Sequence, residues 1–374
     1  MSKNILHSIL HFIQKETVLS IAAILAVISA FIVPPSASYI EYIDFRVLSL
    51  LFCLMLVVAG LQNIGFFQYL ATRLLGKMKN TRQLTLALVA FCFFSSMFIT
   101  NDVALITFVP FAVMILTMSG NEQLLIPVIV LQTIAANLGS MLTPIGNPQN
   151  LYLYSGYGIS MGTFLLVMFP LTLCSAVLLM VSILLLKKHP IAALPSQDNT
   201  TLEVKKLVLY LLLFIVCLAC VIRVLPWPVM LIILVIAIFF LDRTLFSKAD
   251  YLLLLTFFCF FIFIGNIQSI PSVADLLQSF IKGRELPLSV LFSQGISNVP
   301  AAILLSGFTD DYKPLLYGIN IGGLGTLIAS LASVISFKLY GNCKNASKGK
   351  YIKCFTLYSI VFLVILYGVA LLLL

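Results

Sequence analysis

The amino-acid sequence predicts an all-α polytopic membrane protein built from two inverted repeats, with about nine full spans, two re-entrant hairpins and helices broken at mid-membrane. Three observations carry this. The 374 residues are 61% hydrophobic and only 9% charged, against roughly 25% charged in a soluble domain, and no polar segment is long enough to fold alone. Two polar, Gly-broken interruptions lie inside otherwise apolar sequence: Thr100-Asn101-Asp102 with 137–147 in the first half, and Ser297-Asn298-Val299 with 320–330 in the second. The interruptions also fall at matched places in an internal repeat, and duplicated broken helices are the best sequence pointer to a transport site.

Residues 1–16 read as an interfacial amphipathic lead-in with no cleavable signal pattern. A span needs about 20 apolar residues, which places full spans at 17–34, 46–66, 122–154, 161–187, 204–223, 226–242, 249–267, 314–340 and 352–374. Two further apolar regions have polar centres and short limbs. They read as hairpins that dip to mid-membrane and return, 83–118 opening inward and 287–309 opening outward; such backbone is tolerable only when buried in protein or lining a wet cavity. With the N-terminus cytoplasmic and the C-terminus outside, all of the 22 Lys and Arg fall inside except Arg46, Arg223, Lys282, Arg284 and Lys313. That bias is the orientation signal of a plasma (inner) membrane protein. The net charge of +9 therefore reflects loop placement rather than a nucleic-acid partner.

The repeat is ordered. Asp44 matches Asp250, Cys53 matches Cys259, Gly60 matches Gly265 and Gly76 matches Gly283; then Asn101 aligns with Asn298, Asn137 with Asn320, Gly139 with Gly322, Thr143 with Thr326, Gly146 with Ala329 and Asn147 with Ser330. Residues 17–187 form repeat one and 226–374 repeat two, joined by a linker and connecting span at 188–225.

The breaks have a definite chemistry. Half-helix N-termini present partial positive charge and C-terminal carbonyls partial negative charge; the first suit an anion, and the second, with Asn and Ser/Thr oxygens, suit Na⁺. Asn supplies donors and an acceptor in one side chain. Pro144 and Pro148 hold the first break open because neither donates an N–H. Gly139, Gly146, Gly322 and Gly325 allow close approach, and packing explains Gly318, which makes a GxxxG with Gly322. Asp102 is the one carboxylate this topology buries deep in the membrane, where such groups are functional by default; a helix cap is its structural alternative. Its counterpart is Val299, so the two sites are unequal. No Lys or Arg lies near either break.

Other signals are weaker. Cys217 and Cys220 read as small packing residues in a span. His7, His11 and His189 have no metal-site spacing, and the sequons at Asn199 and Asn345 fall on the inside. No catalytic constellation or phosphate-binding loop appears, which argues against an enzyme or an ATP-driven pump.

These residues resemble a known superfamily. Phe98-Ile99-Thr100-Asn101-Asp102-Val103 looks like the first hairpin of arsenite-efflux permeases, and Asn137-Leu138-Gly139 with Thr143-Pro144-Ile145-Gly146-Asn147-Pro148 is similar to their following segment and to the break of the divalent-anion/sodium symporters. Ser297-Asn298-Val299-Pro300 resembles the second hairpin of the same ion-transporter superfamily, which also holds citrate-transporter-like proteins and a class of sodium/proton antiporters. The resemblance implies a two-domain elevator, usually a homodimer. It implies one cation site at Asn101 and the backbone of Gly146, and another at Asn298 and the backbone of Ala329. Substrate contacts would come from Thr100, Asn101, Asn147, Pro148, Ser297, Asn298 and Ser330. Asn137, Gly139, Thr143, Pro144, Asn320, Gly322 and Thr326 would support the breaks, and Asp102 joins the cation set on its own chemistry. The sequence departs from the pattern at Leu331-Ala332, where Pro-Pro is expected.

The expectation is a secondary active transporter in the lipid bilayer. It moves a small anion such as a di- or tricarboxylate or an oxyanion, coupled to Na⁺ or H⁺, with no other metal and no cofactor. Arsenite or antimonite efflux is the alternative, sodium/proton antiport a second, and a channel or membrane sensor the reading from another class.

Overall fold

The computed structural model describes residues 16–75, 78, 80–188, 202–343 and 346–374. The lead-in except Glu16, Gly76, all three histidines, most of the polar loop 188–203 and both sequon asparagines lie outside the described residues. Every regular element among the described residues is helical. Among the described residues, seven stretches are long and apolar enough to cross a membrane: Phe45–Asn63, Asn101–Met118, Glu122–Ser140, Met161–Leu184, Val204–Val221, Tyr251–Gln268 and Lys348–Leu373. Large apolar side chains such as Leu166, Leu185, Phe240 and Leu372 stand exposed, on helices hydrophobic all round, as lipid-facing helices are. The chain is an integral membrane protein.

The helices run in two matched series. In the first, α1 (Thr17–Ile32) and the short α2 (Ser38–Tyr42) precede α3 (Phe45–Asn63), α4 (Phe66–Leu75), α5 (Thr81–Ser95), α6 (Asn101–Met118), α7 (Leu125–Ser140), α8 (Pro148–Gly156) and α9 (Met161–Leu184). After α10 (Val204–Val221) the second comprises α11 (Trp227–Leu241), α12 (Tyr251–Gln268), α13 (Pro271–Ile281), α14 (Glu285–Ile296), α15 (Asn298–Ser306), α16 (Tyr312–Gly322), α17 (Leu331–Gly341) and α18 (Lys348–Leu373). The expected spans 122–154 and 314–340 are thus each two helices with a break between them. The first hairpin tip is the turn segment 96–100 between α5 and α6, and the second is the single residue Ser297 between α14 and α15. Besides the five-residue α2, the hydropathy reading misses α4 and α13, short amphipathic helices that join a span to a hairpin in each repeat and whose apolar stripe is too narrow to look like a crossing.

Matched residues do matched work. Asp44 caps α3 by accepting from the Val47 N–H, and Asp250 caps α12 by accepting from the Leu253 N–H, both at 2.9 Å; each satisfies an otherwise orphaned helix donor. Gly60 and Gly265 each leave room for a tyrosine ring: a Cβ would lie 2.4 Å from Tyr210 at the first and 2.2 Å from Tyr42 at the second. Cys217 and Cys220 are buried free thiols on α10, where it packs on α3.

The repeats interlock rather than sit side by side. α1 packs on α12, and α11 packs on α3. In each broken helix the first half packs on its own hairpin, α7 on α5 and α16 on α14. The second half packs on the other repeat's hairpin, α8 on α15 and α17 on α6. This crossing carries both breaks to the middle of the molecule.

Candidate functional site

Each hairpin tip is tied to its own break. In the first repeat the Asn101 N–H donates to the Gly146 carbonyl at 3.2 Å, and the Thr143 hydroxyl donates to the Met97 carbonyl, four residues before Asn101. In the second the Ser297 hydroxyl donates to the Ala329 carbonyl at 3.4 Å, and the Thr326 hydroxyl to the Gln294 carbonyl at 3.3 Å, again four residues before the tip asparagine. Thr143 and Thr326 are clamps on their hairpins, and Thr326 is exposed. Gly139 makes the first clamp possible by close approach: a Cβ there would sit 2.0 Å from the Phe93 carbonyl oxygen. Pro148 opens α8 at its first position, with Asn147 as the cap accepting from the Asn150 N–H at 2.9 Å. Pro144 is buried in the same break. In the second break α17 starts at Leu331 without a proline, and its flanking Ser330 makes no side-chain cap bond.

The two breaks are joined to one another. Asn137 Oδ1 accepts from Asn101 Nδ2 and from the Ser330 hydroxyl, both at 2.9 Å, and Asn137 Nδ2 donates to Ser333 Oγ at 3.3 Å. Asn147 Nδ2 donates to Ser140 Oγ at 3.0 Å and to Asn320 Oδ1 at 3.4 Å, while Asn320 Nδ2 donates to Asn150 Oδ1 at 2.7 Å. Asn101, Asn137, Asn147, Asn298, Asn320 and Ser330 are each at most 5% exposed. Asn298 Nδ2 stands over Gly323, where a Cβ would lie 2.9 Å away. The arrangement gathers the N-termini of α6, α8, α15 and α17, the positive ends of four helix dipoles, among amides and hydroxyls and with no Lys or Arg among these contacts.

Two features break the symmetry. Ser297 has φ 72° and ψ 155°, a region that glycine enters freely and other residues hold only under strain of about 1–3 kcal/mol; Thr100 at the other tip has an ordinary φ of −58°. Asp102, in the first turn of α6, has a buried Oδ1 without a hydrogen-bond partner. An orphaned carboxylate oxygen in a buried place is costly unless a proton or cation meets it. The Gly146 and Ala329 carbonyls of the two breaks each accept a hydrogen bond, from the Asn101 N–H and the Ser297 hydroxyl.

Sequence reasoning missed several members. Gln294 spans the second break, its Nε2 donating to the Gly322 and Leu324 carbonyls at 2.8 and 3.0 Å and its Oε1 accepting from the Thr326 N–H at 2.9 Å. Asn150 donates to the carbonyls of Ser140, Met141 and Thr143 at 3.3–3.4 Å. Ser140 and Ser333 complete the cross-links. Asn150 had a signal, its spacing of three from the Asn147 cap; Gln294 and Ser333 had none, because their partners come from other helices.

With this geometry in place, comparison with known proteins places the chain. The family model for citrate transporters matches residues 9–311. The chain belongs to the citrate transporter family. An uncharacterized transporter of Methanocaldococcus jannaschii is 34% identical over 306 residues, covering 79% of this chain and 81% of the relative. An inner membrane protein of Escherichia coli is 32% identical over 309 residues, covering 79% and 80%. A silicon efflux transporter of rice (Oryza sativa subsp. japonica) is 33% identical over 129 residues, covering 34% of this chain and 26% of the relative. The chain is therefore a membrane transporter of the ion-transporter superfamily, working on a small molecule from within the bilayer.

Proposed function

We propose that this transporter is a secondary active carrier of a small anion, a di- or tricarboxylate or an oxyanion, coupled to Na⁺ or H⁺. The observation that supports it best is the meeting of four helix N-termini among buried amides and hydroxyls without a basic side chain. Such a site attracts negative charge through fixed dipoles and needs a co-bound cation to neutralise it. Thr100, Asn101, Asn147, Pro148, Ser297, Asn298 and Ser330 would contact the substrate. Asp102, with Asn101 and the Gly146 carbonyl, would hold the coupling ion; Asn298 and the Ala329 carbonyl would form the weaker second site. An elevator movement of the hairpins and broken helices in a homodimer, with the N-terminus cytoplasmic and the C-terminus outside, completes the reading. The deciding experiment is a thermal-shift screen of the purified protein with citrate, succinate, sulfate, phosphate and arsenite, each with and without Na⁺. Stabilisation by none of the anions in either condition sinks the proposal.

Efflux of a weak oxyacid, arsenite or antimonite, is the second reading. The partly matching silicon efflux relative and the lone Asp102 carboxylate favour it, since an undissociated acid needs no counter-charge. It expects arsenite to stabilise the protein without Na⁺ and the carboxylates to have no effect.

A further inference from the structure

Where the ends of α8 and α15 meet α12 and α2, the fold leaves a half-open cleft of about 300 Å³. None of the residues assigned to transport lines it. Among the described residues that do, Glu41 is the one charged group, and Tyr42, Tyr152, Tyr157 and Phe261 contribute four aromatic rings. Most of the polar groups of the lining are paired within the fold. The Tyr152 hydroxyl pairs with Ser306 Oγ at 3.0 Å, Tyr157 donates to the Thr309 carbonyl at 2.8 Å, and Gln268 Nε2 donates to the Gly307 carbonyl at 2.6 Å. The rings of Tyr152 and Tyr157, rather than their hydroxyls, are what the cleft has to offer. The neighbouring guanidinium of Arg223 is spent on the Gly158 and Tyr154 carbonyls, at 3.0 and 3.5 Å, and does not line the cleft. The surroundings are acidic: burial first, then Tyr152 and the carboxylates of Asp310, Glu285 and Asp311, raise the Tyr157 phenol above its usual range.

A carboxylate beside aromatic walls, with no positively charged side chain among the described lining residues, disfavours anions and suits a compact organic cation, which aromatic faces attract. The volume lies at the lower end of small-molecule pockets, about 300–1,000 Å³. A bare metal ion is a poor match, because a hard cation asks for several oxygens and this lining has few left uncommitted. We propose that this cleft binds an alkylammonium group of about choline's size, separate from the transport site. An occupant touches α2 and α12 on one wall and α8 and α15 on the other, and so ties those walls together. The same group is presented by a free amine or by a lipid headgroup.

The test is calorimetric titration of the full-length protein in detergent with choline and with its neutral carbon isostere, dimethylbutanol, alongside melting of the protein in nanodiscs of phosphatidylethanolamine or phosphatidylglycerol. Choline binding without dimethylbutanol binding identifies a free-amine site. A higher melting temperature in phosphatidylethanolamine alone, lost in Glu41→Gln, identifies the headgroup as the source. Glu41 is exposed and makes no side-chain hydrogen bond or ion pair with the described residues, so Glu41→Gln weakens choline binding about tenfold and Glu41→Lys removes it. Equal binding of dimethylbutanol overturns the cation chemistry, unchanged choline affinity in both Glu41 variants overturns the location, and no effect in either arm overturns the site.

Discussion

At the scale of single residues, the paired asparagines do different jobs in the two halves. Asn101 is fixed twice, by its N–H to Gly146 and by its amide to Asn137, whereas Asn298 lies at a tip whose preceding residue is strained. Asn101→Ala and Asn298→Ala are each expected to reduce uptake in proteoliposomes to below about a tenth of wild type, because a dry site loses most when a polar partner is left unpaired. Normal uptake by both folded variants would remove them from the site. Asp102 is the residue at which the proposed ion coupling can be tested apart from substrate binding. Asp102→Asn keeps the shape of the orphaned Oδ1 position and removes its charge, so uptake should persist while its dependence on the ion gradient disappears; an unchanged gradient dependence leaves Asp102 as a helix-terminal residue only. Gly139 sets a packing limit. Gly139→Ala puts a methyl group against the Phe93 carbonyl and should cost at least about 1–3 kcal/mol as an overpacking change. Gly162, with nothing within 4 Å of its Cβ position, accepts alanine without loss, and melting of the two purified variants compares them directly.

Among elements, the decisive contact is where a broken helix of one repeat crosses the other repeat. α7 and α17 meet through hydroxyls: Thr133 Oγ1 donates to the Ile129 carbonyl and lies 2.7 Å from Ser336 Oγ, which is 3.2 Å from the Tyr351 hydroxyl on α18. Such interhelical bonds in membrane proteins contribute about 0.6 kcal/mol on average. A double-mutant cycle of Thr133→Val and Ser336→Ala should therefore show coupling of about that size; strict additivity would mean that the two hydroxyls do not act on each other. Much of this scale was legible in the sequence. The hairpin limbs followed from apolar stretches split by Thr100-Asn101-Asp102 and by Ser297-Asn298, and the broken helices followed from Gly146, Asn147 and Pro148 and their counterparts. The amphipathic α4 and α13 were not legible, because hydropathy windows average away a narrow apolar stripe. Gln294 was not legible either, since its partners, Gly322, Leu324 and Thr326, come from the end of α16 and the break that follows it.

Across the whole molecule, the two sequence repeats do not pack as separate units. α1 lies on α12, α11 on α3, α8 on α15 and α17 on α6, so each half buries its apolar faces against the other. A half expressed alone would expose those faces and the break polar groups together. Fragments 1–203 and 204–374 should each aggregate when produced separately and yield a stable, monodisperse protein when produced together; an independently stable fragment would contradict the interlocked packing. The proposed orientation has its own check. A cysteine introduced at Ser247 should react with impermeant reagents from the cytoplasmic side and one at Ser279 from the outside. Labelling of both from the same side would refute the inverted topology.

The sequence by itself determined the class of molecule, the two breaks, their matched positions and the inequality created by Asp102 against Val299, because hydropathy, proline, glycine and a lone intramembrane carboxylate act locally and leave a local trace. Only the tertiary structure decided that the breaks meet, since Asn137 finds Ser330 and Asn147 finds Asn320 across some 170 to 190 residues of chain. Those partnerships arise from helix crossings, and a crossing is set by the packing of apolar faces on opposite repeats, which no spacing within one segment encodes.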